Sequence, residues 1–154
     1  MSVALLDVNV LIALFDPEHI HHEPAHAWFA SERHNGWATC PLTENGCVRI
    51  ISSGAYQSKL STADAIANLG SFTSQNDHVF WPDALAITSE IFLREYIGRP
   101  NQLTDVYLLG LAVTNGGRLV TFDRSVAAPA VRGATAGHLL ILQNPNGTQP
   151  HRTL

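Results

Sequence analysis

The sequence predicts a single α/β domain in which a mainly parallel, five-stranded sheet is flanked by helices. Three observations carry that prediction. Short apolar runs alternate along the chain with stretches whose apolar residues recur at helical spacing, the order that builds strand–helix–strand units. The apolar runs are continuous rather than alternating, as strands covered on both faces require. With 154 residues and 45% hydrophobic content, the chain can bury one core without disulfide or metal staples.

The elements follow in order. Residues 3–6 (Val-Ala-Leu-Leu) form a buried strand ending at Asp7. Residues 10–15 are a short helix, closed by Asp16-Pro17 because a residue before proline is pushed out of the helical region. In 22–32, Ala25, Trp28 and Phe29 stand at i, i+3 and i+4, one face of an amphipathic helix. Gly36 opens a strand at 37–39, which Cys40-Pro41 closes. Residues 43–52 are helical, with Cys47, Val48 and Ile51 on one face. Residues 62–72 are a further helix with Ser61 as its cap. A third strand at 78–81 stops at Pro82, and 89–97 reads as helix up to Gly98. Residues 104–115 have the clearest periodicity, Leu108, Leu111 and Ala112 recurring before Gly116-Gly117 ends the helix. Strands at 119–122 and 138–142 complete the sheet. The domain therefore spans 1–143, and the turn formers from Asn144 to Pro150 mark 144–154 as a flexible C-terminal tail.

Charged residues make up only 14% of the chain and the net charge is −4. An acidic chain with no block of like charge cannot coat nucleic acid by bulk electrostatics. A surface poor in charge exposes apolar area, which points to a protein partner or self-association. No apolar run approaches the ~20 residues of a membrane span. The N-terminal MSVALLDVNVLIALF lacks the basic start and cleavage site of a signal peptide, and Cys40 and Cys47 form no CxxC pair. The expectation is a cytoplasmic chain with reduced thiols.

Four acids fall at similar places in this scheme. Asp7 ends the first strand, Glu44 opens the helix after the second, Asp105 opens the clearest helix, and Asp123 ends the 119–122 strand. Ligands of open parallel sheets bind beyond the carboxyl ends of the strands, so Asp7 and Asp123 share that crevice if their strands are neighbours. Glu44 and Asp105 sit where a helix dipole favours negative charge. Each acid alone reads equally well as a helix cap or a solvated loop residue. Against that, Asp7 and Asp123 end runs too apolar to need an acid, and Thr104 can cap its helix without Asp105. Converging carboxylates raise one another's pKa unless a cation neutralises them. Hard oxygen ligands select Mg²⁺ or Mn²⁺, and such clusters hold metal for in-line attack on phosphodiesters.

Leu6-Asp7-Val8-Asn9-Val10-Leu11, the isolated Glu44, Leu103-Thr104-Asp105-Val106-Tyr107-Leu108 and Leu119-Val120-Thr121-Phe122-Asp123 stand in this order along the chain. Together they resemble the acidic motifs of the PIN domain, and more closely those of VapC, the toxin of bacterial and archaeal toxin–antitoxin pairs. The resemblance implies an endoribonuclease dependent on Mg²⁺ (or Mn²⁺) that cuts structured RNA of the tRNA or rRNA class. It implies that Asp7, Glu44, Asp105 and Asp123 line the site, with Asp7 and Asp105 nearest the metal and Glu44 and Asp123 supporting. Asn9 and Thr121 match accessory polar positions. Water activated by the metal would be the nucleophile, and the chain itself offers no better one: Lys59 is its only lysine, and neither cysteine has an obvious adjacent base. A small antitoxin with a basic inhibitory segment and a homodimer paired through helices are further implications.

Other residues carry weaker signals. His22 and His26 stand at i, i+4 beside His19 and His21, a spacing able to bind Zn²⁺, but solvated or structural roles at a helix start explain them better. Trp28, Phe29, Trp37 and Trp81 suit a core or partner interface more than base stacking. Trp28 and Phe29, with residues 10–15, could form a groove for the antitoxin's helix. Arg99 and Arg124 border the expected mouth and are candidates for phosphate contact. A haloacid-dehalogenase-type phosphohydrolase expects a second Asp where Asn9 stands, and the paired acids and the lysine expected of a receiver domain are missing from their places. A non-cleaving PIN-like RNA-binding or scaffold module would be favoured by loss of one of the four acids, and all four are present.

Overall fold

The computed structural model describes residues 2–57 and 60–143, so the expected tail at 144–154 lies outside the described residues. Five strands form one parallel sheet in the order β3-β2-β1-β4-β5: β1 (Ala4–Leu6), β2 (Trp37–Thr39), β3 (His78–Phe80), β4 (Arg118–Thr121) and β5 (Leu139–Ile141). The α/β class and the parallel sheet read from the sequence are both present. Strand order reverses at the centre, since β2 and β3 extend one way from β1 and β4 and β5 the other. That reversal opens a crevice between β1 and β4 at their carboxyl ends.

Helices cover both faces. α1 (Val8–Phe15), α2 (His22–Glu32) and α3 (Pro41–Ile51) lie on the side of a core built from Leu6, Val10, Leu11, Ile12, Phe29, Trp37 and Cys47. The other core joins α5 (Leu103–Thr114), through Val106, Leu108, Leu109 and Leu111, to Leu5, Trp81, Phe92 and Leu119. Leu5 and Leu6 are both fully buried on opposite sides, which is why β1 reads as a continuous apolar run.

Local chemistry sets the ends. α4 (Thr62–Thr73) begins where expected, the Ser61 hydroxyl accepting from the Asp64 N–H at 3.1 Å. α3 begins two residues before the expected start, because Pro41 in the first turn lacks only an N–H that would have no helical partner. α5 ends at the expected glycines, Gly116 taking a positive φ of 68° that suits a residue without a side chain.

Residues 89–97 correct the expectation. They form no α-helix. Phe92 makes an antiparallel bridge to Val131, the Leu93 N–H donates to the Ala130 carbonyl at 2.8 Å, and the Arg132 N–H donates to the Ile91 carbonyl at 2.7 Å. A short 3₁₀ turn follows at Arg94–Tyr96. The backbone finds its partner nearly forty residues away (131 − 92 = 39), and Phe92 is buried over Gly110 of α5. None of the described helices is long and apolar enough to cross a membrane.

Candidate active site

Asp7 stands one residue beyond β1 and caps α1. Its Oδ1 accepts from the Val8 N–H at 2.7 Å and its Oδ2 accepts from the Thr121 hydroxyl at 2.7 Å. Thr121 ends β4, the neighbour of β1, with Leu6 opposite Val120. Having given its one hydrogen to Asp7, the Thr121 oxygen accepts from Asn9 Nδ2 at 3.1 Å and from the Asp123 N–H at 3.0 Å. One donated and two accepted bonds saturate a hydroxyl. Asn9 Oδ1 in turn accepts from the Phe122 N–H at 3.2 Å, so Asn9 and Thr121 clasp the start of α1 to the end of β4. Asp123 Oδ1 accepts from both the N–H and the hydroxyl of Ser125, at 2.8 and 2.6 Å.

Burial pushes the Asp7 carboxyl above the usual aspartate range. Bonds from Thr121 and Val8 pull the other way, and the negative charge of Asp123 adds to the rise. Asp7 is 5% exposed, so its ionised form is a charge held in a poorly solvated place.

Glu44 comes from α3, the helix that follows β2, the strand on the other side of β1. It lies in the first turn of α3, five residues past Thr39 at the end of β2, and its Oε2 accepts from the Thr39 hydroxyl at 2.6 Å. The same hydroxyl is 2.7 Å from His78 Nε2. Asp105 lies in the first turn of α5. Because α5 runs on through Gly116 and Gly117 into the start of β4, its N-terminus must lie at the opposite, carboxyl edge of the sheet. All four acids therefore stand at one edge, at the ends of adjacent strands β2, β1 and β4 and at the mouth of α5.

They are not packed into a ready ion cage: among the described residues, no three His, Cys, Asp or Glu side chains are grouped closely enough to hold an ion. Their chemistry still suits a hard divalent cation. The donors are carboxylate oxygens, the Asp123 charge adds to the cost of ionising Asp7, and Mg²⁺ commonly binds through one or two carboxylates while keeping several waters. The thiols fit no such role, since burial pushes Cys40 up to about 11 and Cys47 up to about 12. At neutral pH both are inert thiols.

The remaining candidates divide. Arg99 and Arg124 are exposed, one before the turn that leads into α5 and one directly after Asp123. Phe29 leaves the expected groove: it is buried, edge-on to Trp37 at 5.3 Å and beside Phe72 at 5.4 Å, so its face of α2 is core. Trp28 is partly buried, with the Arg118 guanidinium 6.0 Å above its ring. His22 lies 2.7 Å from the Ala13 carbonyl through Nδ1, tying α2 to α1, and His21 stacks on Phe122 at 4.3 Å. The link from Glu44 through Thr39 to His78 is absent from the sequence reading. A buried threonine five residues before an acid was its one local signal, because His78 enters from a separate strand.

Comparisons with known proteins agree with this architecture. Residues 4–131 match the family model described as PIN domain. The chain is 49% identical over 140 residues to Ribonuclease VapC44 of Mycobacterium tuberculosis (strain ATCC 25618 / H37Rv), covering 90% of this chain and 99% of that protein. Ribonuclease VapC39 of the same strain is 47% identical over 132 residues, covering 84% and 95% of the two chains. Ribonuclease VapC38 is 41% identical over 125 residues, covering 80% and 87%.

Proposed function

The chain belongs to the PIN-domain family, in its VapC branch, and from that membership we propose that it is an endoribonuclease, the toxin of a toxin–antitoxin pair, which hydrolyses structured RNA of the tRNA or rRNA class with Mg²⁺ or Mn²⁺. The observation that carries the proposal is Asp7: a buried carboxyl at the end of the central strand, raised in pKa by burial and by Asp123, and fixed by Thr121. A fold keeps a charge in such a place where a cation or a reaction uses it.

Asp7 and Asp105 would hold the cation, with Glu44 and Asp123 in support. When bound, the cation supplies Lewis acidity, acidifying water and neutralising charge that builds on the phosphate. The protein's own contribution is orientation. Val8 and Thr121 fix both oxygens of Asp7, and Asn9 keeps Thr121 and the Phe122 backbone in register. Arg99 and Arg124, both exposed at this edge, would contact RNA phosphates beyond the scissile one.

The test is cleavage of total RNA by the purified protein with Mn²⁺ or with excess chelator, beside Asp7→Asn and Asp105→Asn. Cleavage should require the cation and be lost in both variants, leaving 5′-phosphate and 3′-hydroxyl ends. Full activity in chelator, or a cyclic phosphate product, would replace water attack with attack by the RNA 2′-hydroxyl.

A small antitoxin with a basic inhibitory segment fits the acidic edge, since a guanidinium can bind carboxylates bidentately. Trp28, not Phe29, is the α2 residue left to meet it, so Trp28→Ala should weaken a co-purified complex while leaving cleavage by the free toxin intact. Self-association is the second use of the surface of a chain with only 14% charged residues and with Ile66, Phe80 and Tyr96 exposed. The proposal is a cytoplasmic homodimer, which a monomer by sedimentation at micromolar concentration would contradict.

A further inference from the structure

We propose that Thr39 and His78 are positioning residues for Glu44, an inference that rests on Glu44 belonging to the ribonuclease site. The Thr39 hydroxyl has a single hydrogen, and the Glu44 carboxylate takes it at 2.6 Å. The 2.7 Å contact between the same oxygen and His78 Nε2 is then a bond only if Nε2 carries the proton and donates it. With the proton on Nε2, His78, Thr39 and Glu44 form a directed line, and the Thr73 backbone carbonyl at the end of α4 is a further acceptor for the ring. Thr39 is fully buried at the end of β2, so its hydroxyl has no water to turn to.

The far end of the line is anchored independently. The His78 ring lies 4.6 Å from Trp37, its register partner on β2. The Trp37 indole N–H donates to Asp77 Oδ1 at 2.9 Å, and the Arg33 guanidinium holds both Asp77 oxygens at 2.6 and 2.9 Å. β3 is an edge strand of three residues, two of which, Val79 and Phe80, are exposed. His78 is the member that packs inward.

The consequence falls on Glu44. A glutamate on the first turn of a helix has three rotatable side-chain bonds, and the line fixes them through Oε2. Oε1 is left without a bonding partner among the described residues. One oxygen held and one available is the arrangement a supporting carboxylate needs. Displacing a reacting or ligating group by about 1 Å can cost about 10²-fold in rate, so the restraint acts on turnover rather than on RNA binding.

The experiment compares Thr39→Val, Thr39→Ser, His78→Ala, His78→Gln and Glu44→Gln by cleavage kinetics, and by calorimetric titration of Mn²⁺ into the RNA-free protein. Thr39→Val and His78→Ala should lower kcat roughly 5–30-fold with KM for RNA within about two-fold, and should weaken Mn²⁺ binding several-fold. His78→Gln, whose amide N–H can donate from near the Nε2 position, and Thr39→Ser, which keeps the hydroxyl, should recover most of both losses. His78 sits on an edge strand, so its variants should fold even if Thr39→Val does not. Native kcat and native Mn²⁺ affinity in His78→Ala, alongside loss of both in Glu44→Gln, would overturn the positioning role and leave the ribonuclease site standing. Native behaviour of Glu44→Gln would instead remove Glu44 from the site, and this proposal with it.

Discussion

At Asp7 the sign of a stability change follows from the direction of a single pKa shift. The folded carboxyl titrates above its ordinary 3.8, so its favourable contribution exists below that value and is lost as pH rises through the folded pKa. At neutral pH the ionised side chain therefore opposes folding. Asp7→Asn removes the charge and keeps one acceptor oxygen, so melting should hold or rise by a few degrees, equivalent to about 1 kcal/mol in a chain of this size. Added Mn²⁺ should raise the melting temperature of the unsubstituted protein by mass action and leave the variant unmoved. A calorimetric scan of both, with and without Mn²⁺, reads both effects, and an equal Mn²⁺ response would place the cation elsewhere. The sequence made this residue legible because an acid directly after Val-Ala-Leu-Leu ends a buried strand, although the helix cap it also forms is an ordinary role for such an acid. The same reading left Phe29 between core and partner groove, and the structure places it in the core. Spacing assigns residues to a face of a helix, but Trp37 and Phe72, which cover that face, arrive from separate elements.

The elements recovered from the sequence are those whose determinants are local. α4 and its Ser61 cap, the strand at Trp37–Thr39 and the glycine stop after α5 are fixed by neighbours within a few residues. The sequence predicts helix over 89–97, up to Gly98, whereas the backbone there pairs with the distant residues 130–132. What makes that ribbon worthwhile is the fit of Phe92 into α5. A Cβ placed on Gly110 would lie 2.5 Å from Cε1 and 2.7 Å from Cζ of the Phe92 ring. Glycine inside a helix is normally a weakness of about 1 kcal/mol relative to alanine. Here Gly110→Ala should nonetheless destabilise, because overpacking costs about 1–3 kcal/mol and Phe92 is 7% exposed with little room to yield. The denaturant midpoint should fall in Gly110→Ala and partly recover in Gly110→Ala with Phe92→Leu, the non-additivity expected of touching residues. A higher midpoint in the single variant would show that the ribbon yields easily.

Across the whole molecule, groups buried in their neutral forms give the stability curve a limit on each side. Burial lowers the pKa of His19, His21 and His78 from the ordinary 6.5. Nearby charges modify two of them: Asp16 opposes the shift at His19 while His21 and His22 add to it, and Glu44 and Asp77 oppose it at His78. His21 is the simplest case, 8% exposed, with burial as its one cause and with Nδ1 lacking a hydrogen-bond partner among the described residues. A histidine that titrates lower when folded lets the unfolded chain bind protons first, so stability is intact above 6.5 and falls as pH drops below it. The thiols act at the other end. Cys40 and Cys47, raised from 9.0 to about 11 and about 12, withdraw stability as pH climbs past 9.0, because the unfolded chain ionises first. Asp77, held down to about 2 by Arg33 and Trp37, acts in the same sense as the buried histidines but at lower pH, contributing fully down to 3.8 and failing below it, while Asp7, raised by burial, is the group that opposes them. Guanidinium midpoints should therefore peak near neutrality and decline by pH 5, well before the carboxylates of the unfolded chain take up protons. His21→Phe isolates the cause, since it keeps the ring stacked on Phe122 while removing the titration. That variant should lose less stability between pH 7 and 5 than the unsubstituted protein, and an identical acid limb in the two would assign the decline to other groups.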